Sequence, residues 1–278
     1  MATSVPPQSE SLGAHETQWK GVTRTGRSSD MENPGLNAAY REASNEIQLL
    51  NYIHEHPSIE KLRGNPQAIG AVIDEYAETL HDARWLMTLG ADKSSFITSV
   101  LSKASPGPPK VLLEFGTYIG YSAIVLGAAL RDINAEQHFR YITFEKTPIM
   151  AAIASSLIEL AGLKDIVEVH VGSAGDSLRR LVDEGKLKRG EVDCMLLDHW
   201  KDFYIPDLQA CEELGLLRIG SIVLADNVKF PGVPEYLTYV RKGVAEKSAE
   251  RFRYETQTAD FRLARNGPED QVAVSTIA

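Results

Sequence analysis

The sequence predicts an α/β fold in which a mostly parallel sheet carries helices on both faces. Two observations lead there. Between residues 111 and 240, short apolar runs of strand length alternate five times with segments of helical character, which is the pattern of βα units in series. The chain also has 278 residues, 43% of them hydrophobic, enough for one large domain plus a tail.

The elements follow in order. Residues 1 to about 43 are rich in Ser, Thr, Gly, Pro and charge without sustained periodicity, so a disordered arm is expected, with the domain occupying 44–278. Ile47, Leu50 and Ile53 then recur at helical spacing. Pro57 and Gly64-Asn65-Pro66 break the chain before a second helical pattern built on Ile69, Val72, Ile73, Tyr76 and Leu80. A third helix is expected over 94–101, so that 45–103 forms a helical preface ahead of the Pro106–Pro109 break. Strands are expected over 111–115, 141–144, 167–171, 192–197 and 221–225, and helices over 121–130, 148–161, 176–184, 205–217 and 234–240. Thr147 and Pro148 mark the start of the second of these helices, where a proline costs no hydrogen bond. Two further strands are expected between 252 and 274.

Composition excludes several classes. A net charge of -9 argues against a general nucleic-acid binder, which needs a basic surface. No apolar run reaches the roughly 18 residues of a membrane span, and the first ten residues lack a secretory apolar core. A cytoplasmic protein acting on a small molecule, with no nucleic acid or membrane partner, is the expectation. Cys194 and Cys211 read as reduced, packed thiols, and no Cys/His spacing suggests zinc.

In parallel sheets of this kind ligands bind beyond the carboxyl ends of the strands. There the first strand runs into Glu114-Phe115-Gly116-Thr117-Tyr118-Ile119-Gly120. Gly116 and Gly120 suit a tight turn that lets backbone approach a ligand. Their spacing departs from the dinucleotide GxGxxG and favours S-adenosylmethionine (SAM), which has no pyrophosphate. Glu145 closes the second strand and can accept hydrogen bonds from both ribose hydroxyls. Asp198 closes the fourth strand and Asp226-Asn227 the fifth. Two carboxylates and an amide make a hard oxygen set suited to Mg²⁺; the alternative is that each Asp caps the next helix. Lys201, three residues beyond Asp198, is a candidate base, or else a surface partner of Asp202. His199 and Trp200 are candidates for an adenine wall, or else packing residues.

These residues carry a resemblance to the catechol O-methyltransferase family. The matching segments are RWLMTLGADK, LLEFGTYIGYSA, ITFEK, MLLDHWKDFYIPDL and GLLRIGSIVLADNVKFPG, and the resemblance extends from about residue 45 to about 241. It implies a Rossmann-like class I methyltransferase fold with a seven-stranded sheet, dependence on Mg²⁺, and methyl transfer from SAM to one hydroxyl of a catechol or catechol-like diol. It implies Asp198, Asp226 and Asn227 as metal ligands and Lys201 as general base. Glu145 matches the ribose acid, and Glu114, Gly116, Tyr118, Tyr121 and Ser122 match the pocket for the methionine moiety. Met87 and Leu89 match positions near the methyl donor. Trp85 and Pro231 match gatekeepers over the catechol ring, which Met87, Lys201 and Asn227 also border. Three departures stand out, one being an N-terminal arm that is longer than the family's and is expected to be no membrane anchor. Ala174-Gly175 replace the family's Ser-Gln beside the adenine, and the family's C-terminal glutamate for the second hydroxyl has at best Asp260 as a substitute. Another vicinal diol or a phenylpropanoid is the alternative substrate, and a non-catalytic SAM-binding protein the alternative function.

Overall fold

The computed structural model describes residues 45–80, 85–134, 138–241, 252–263 and 267–278; the expected arm over 1–43 lies outside them. Helix α1 covers 45–54 among these residues. It is followed by α2 (Ile59–Leu62), α3 (Pro66–Glu78) and α4 (Ala91–Ser102). Then come β1 (Val111–Phe115), α5 (Tyr121–Asn134), β2 (Arg140–Glu145), α6 (Pro148–Leu160), β3 (Val167–Val171), α7 (Ala174–Asp183), β4 (Cys194–Leu197), α8 (Tyr204–Glu213), β5 (Ile222–Ala225), α9 (Pro234–Arg241), β6 (Tyr254–Arg262) and β7 (Glu269–Ile277).

The seven strands lie in the order β3-β2-β1-β4-β5-β7-β6. β1 to β5 are parallel, and β7 joins β5 antiparallel and hairpins with β6. The fold is that of class I methyltransferases, as the residue pattern and the resemblance lead one to expect. Side chains alternate across the sheet with period two. Leu112, Tyr141, Cys194, Leu196, Ile222 and Leu224 pack beneath α1 and α3 to α6, in one core with Ile53, Ile73, Ile97, Ile124 and Leu157. Leu113, Phe115, Ile142, Phe144, Met195, Leu197 and Val223 face the other way, onto Leu178 and Leu181 of α7, Leu208 and Cys211 of α8 and Tyr236 of α9. Each of these side chains that goes fully from water to the core contributes roughly 1.5–3 kcal/mol, so the two cores hold the strand ends rigidly in register.

Several boundaries differ from the sequence pattern, for physical reasons. α7 starts at Ala174 rather than 176, because the Ser173 side chain caps it by accepting from the Asp176 N–H. α8 ends at Glu213, ahead of Gly215 at φ +65°, and Leu216 and Leu217 instead pack in the core as the chain turns toward β5. β7 runs on to Ile277, pairing along β5 and β6 to the end of the sheet. Both cysteines are buried and free. Among the described residues no helix is long and apolar enough to cross a membrane.

Candidate active site

β1 has β2 on one side and β4 on the other, so the chain leaves its carboxyl end in opposite directions and a crevice opens there. Gly116 sits in that crevice at φ +102°. A Cβ on it would lie 2.4 Å from the Asp198 carbonyl oxygen, so only glycine lets the β1 and β4 ends touch. The segment before α4 covers the turn. Met87, Leu89, Gly116, Tyr118, Tyr121, Ser122 and Asp198 thereby line one cleft, together with Thr88 and Thr117.

Under the cleft floor, Glu114 is fully buried and accepts hydrogen bonds from the Ser122 hydroxyl and, at 2.7 Å, from Thr143 Oγ1. Burial pushes its carboxyl up to about 7, against the pull of those hydroxyls. At the end of β2, Glu145 is held by two backbone donors. Its Oε2 accepts from the Tyr118 N–H and its Oε1 from the Thr147 N–H, both at 2.8 Å. A carboxylate has about four lone-pair sites, so acceptor capacity remains for ligand hydroxyls. The preface grips the same turn: the Tyr121 hydroxyl donates to Asp74 of α3 at 3.0 Å, and the Tyr118 hydroxyl to Glu46 of α1.

Beyond β4, His199 Nε2 bonds Asp207 Oδ2 at 2.8 Å, and its ring stacks on Tyr204 with centroids 5.2 Å apart. Its Nδ1 is buried and has no hydrogen-bond partner among the described residues. A Cβ on Gly175 would stand 3.6 Å from Asp207 Oδ1, so the first turn of α7, with Ala174 and Gly175, adjoins this wall. The first N–H groups of a helix lack intrahelical acceptors; here Ser173 takes that of Asp176. Trp200 is 77% exposed, and Trp85 and Met87, in the segment before α4, are 65% and 55% exposed.

The acidic cluster lies where β4 and β5 pair. Leu197 stands opposite Ala225, so Asp198 and Asp226 leave adjacent strands at the same level. Neither works as a helix cap. Asp226 is buried and its Oδ1 lies 2.6 Å from Lys93 Nζ; the cap position of the short helical turn after β4 belongs to Trp200. Burial and the Asp226 charge push the Asp198 carboxyl well above the usual range, although Lys201 and Lys93 pull it down. Burial likewise raises Asp226, against Lys93. Lys201 turns inward. Its Nζ donates to the Tyr204 hydroxyl at 2.6 Å, to Asn227 Oδ1 at 3.1 Å and to the Asp226 carbonyl at 3.4 Å. Burial holds its ammonium below the usual lysine range, with Asp198 and Asp226 opposing.

The oxygens of Asp198, Asp226 and Asn227 fit a hard divalent cation. Two carboxylates driven toward their neutral forms by burial and mutual repulsion gain when such a charge compensates them. The set is two carboxylates and an amide; among the described residues no three His, Cys, Asp or Glu side chains form a metal-holding group.

A family model described as O-methyltransferase matches residues 71–250. Catechol O-methyltransferase of Bos taurus is 38% identical over 199 residues, covering 72% of this chain and 67% of that protein. Catechol O-methyltransferase B of Danio rerio is 36% identical over 225 residues, covering 81% and 77%. The chain belongs to the O-methyltransferase family. In the comparison of folds, an O-methyltransferase from Bacillus cereus in complex with SAH superposes with a TM-score of 0.57 at 21% identity, over 82% of this chain and 96% of that one. TomG from Streptomyces achromogenes, in complex with SAM, gives 0.58 at 21% identity, over 77% and 89%.

As a SAM-dependent O-methyltransferase related to the catechol O-methyltransferases, the protein gathers most of the expected residues into two adjoining halves. Glu114 to Ser122 and Glu145 form one, with Met87 and Leu89 above. Asp198, Lys201, Asp226 and Asn227 form the other. Pro231 is exposed on the loop after Asn227, next to Phe230. Asp260 lies on β6 and its Oδ1 accepts from Gln271 Nε2 at 2.8 Å. Two residues of this O-methyltransferase's acidic half escape the sequence reading: Lys93, which ends the RWLMTLGADK segment, and Asp270, which no motif marks. Burial of a lysine and an aspartate is the telling signal, and it exists only once α4 has docked against β7.

Proposed function

We propose that this O-methyltransferase moves the methyl of SAM to one hydroxyl of a catechol or catechol-like diol, in the cytoplasm, with Mg²⁺ as a second cofactor. The observation that carries the reading is the convergence of Asp198, Asp226 and Asn227 beside the Lys201 ammonium, at the rim of the cleft that includes Gly116 and Ser122. The names of the bovine and zebrafish relatives support the substrate class. Glu145 and the Gly116–Gly120 turn bind the nucleoside and methionine parts of SAM, with Glu114, Tyr118, Tyr121 and Ser122 shaping the pocket. His199, Trp200, Ala174 and Gly175 border the adenine. Asp198, Asp226 and Asn227 hold Mg²⁺, which when bound makes a neighbouring hydroxyl more acidic.

Lys201 takes the proton as the neutral amine, the form that burial favours over the ammonium. Its Nζ is held by Tyr204, Asn227 and the Asp226 carbonyl, so the group is fixed at the metal set rather than swinging in solvent. Met87 lines the cleft, and Trp85 and Pro231, both exposed, are assigned with it to the apolar surface an aromatic ring needs, as the family resemblance implies. Positioning and charge stabilisation supply most of the rate.

A second substrate reading draws on Asp260. It is the nearest substitute for the family's C-terminal glutamate, and it stands on β6 bonded to Gln271, so another vicinal diol or a phenylpropanoid is the alternative substrate. Turnover of labelled SAM over a panel of diols tests both readings. Activity on catechols that EDTA abolishes and Mg²⁺ restores is the expected result. Full activity in chelator overturns the metal role, and turnover confined to other diols moves the assignment to the second reading.

A further inference from the structure

Asp270 is fully buried at the start of β7, although no expected role falls on it. Its two oxygens collect three donors. Oδ2 accepts from Asn227 Nδ2 at 2.8 Å and lies 2.6 Å from Lys93 Nζ, while Oδ1 accepts from the Phe230 N–H at 2.9 Å. The same Lys93 ammonium touches Asp226 at 2.6 Å. One carboxylate therefore ties together α4, the end of β5 and the loop that carries Pro231.

We propose that Asp270 is a positioning residue: it locks the side-chain amide of Asn227 so that the oxygen, and not the NH₂, faces the cation site. The proposal rests on the reading of Asp198, Asp226 and Asn227 as the Mg²⁺ set. A carboxylate paired with an ammonium only accepts, so the Asn227 amide must turn its NH₂ toward Asp270. Its Oδ1 then points the other way, where it meets the Lys201 Nζ at 3.1 Å. Without an acceptor-only partner the amide can rotate by half a turn at little cost, and it would then offer N–H groups to a cation. Outer partners of this kind hold a ligand's orientation rather than touch the ion.

The test is a charge swap. Three variants are made in the full chain: Asp270→Asn, Asn227→Asp, and the two together. Mn²⁺ serves as the probe, titrated by the electron paramagnetic resonance signal of the free ion, and SAM affinity is measured by calorimetry on the same samples. In Asp270→Asn, the side chain at 270 no longer dictates which end of the neighbouring amide it meets. In Asn227→Asp, two carboxylates face each other. Each single variant is expected to bind Mn²⁺ about 10–100-fold more weakly while SAM affinity stays within about twofold. In the swap, the amide now at position 270 donates to the carboxylate now at position 227, and most of the Mn²⁺ affinity returns. A purely structural role for Asp270 makes the two losses add instead, which overturns the proposal, as do single variants with wild-type Mn²⁺ affinity. Should a single variant fail to fold, the swap still decides: recovery of folding and Mn²⁺ binding together supports the pairing, and an unfolded swap refutes it. Wild-type protein that binds no Mn²⁺ overturns the metal reading itself and this inference with it, so the two failures are told apart by the wild type alone.

Discussion

Replacing Glu114 by Gln isolates a buried charge whose effect on stability has a definite sign. The carboxyl lies at about 7 in the folded protein against 4.5 for the free side chain, because burial penalises the ionised form more than Ser122 and Thr143 favour it. A carboxyl raised on folding stabilises the native state fully below its unfolded value. That stability is lost as pH climbs through the folded value, since the folded chain must then hold a buried anion. The window is therefore pH 4.5 to about 7. At 1.36 kcal/mol per pH unit, the span amounts to about 3 kcal/mol. The amide introduced by Glu114→Gln has no proton to lose. The Ser122 and Thr143 hydroxyls can rotate to serve either end of that amide, so any misfit shifts stability by a constant. Urea unfolding of wild type and Glu114→Gln without SAM, from pH 5 to 8.5, should show the variant gaining on the wild type as pH rises and levelling off above about 7. The difference removes the titrating groups that do not sense Glu114; Asp198, whose carboxyl the Glu114 charge helps to raise, is the exception. A constant gap across the range refutes the reasoning and means Glu114 is already ionised, or hydrated, in the folded chain.

Three more substitutions, at two positions, bear on the roles proposed for the site. Lys201→Ala should lower kcat by about 10²–10⁴-fold with SAM affinity near wild type, and Lys201→Arg, which keeps the charge but does not release a proton, should stay slow; an arginine variant of near-normal rate would assign proton removal to solvent. Glu145→Ala should weaken SAM binding by about 1.5–3 kcal/mol in calorimetry. It should also lower the melting temperature, because the Tyr118 and Thr147 N–H groups lose their acceptor; unchanged SAM affinity alongside a lower melting temperature would leave Glu145 as a brace for the turn only.

The sheet was legible because its parallel strands are covered on both faces and so read as short apolar runs, and because Gly116, Glu145, Asp198 and Asp226 all stand where such runs stop. The boundaries were less so. The start of α7 depends on the Ser173 cap, and the end of α8 on a glycine turn followed by two leucines that pack in the core instead of continuing the helix. The support of the acidic half was not legible at all. Lys93 and Asp270 are 177 residues apart, and in sequence each is a charge of the kind that normally faces water. Only the seating of α4 over β7 turns them into a buried pair. The same reason hides Asp207 behind His199: a carboxylate eight positions on becomes its partner only once α8 has formed.

The tyrosine contacts that bind the preface to the cofactor turn join two events in one equilibrium. Tyr118 and Tyr121 stand in the turn proposed to bind SAM, yet their hydroxyls end on α1 and α3, far earlier in the chain. If SAM binds best to the turn in its gripped form, thermodynamic reciprocity makes occupancy of the cleft strengthen the docking of α1 and α3 by the same factor by which their docking strengthens occupancy. A change on the outer face of α3, touching no ligand, would then register as a loss of cofactor affinity. During synthesis, too, the first helices emerge before the strands that give them a surface, and become part of the binding machinery only when β1 and its turn arrive.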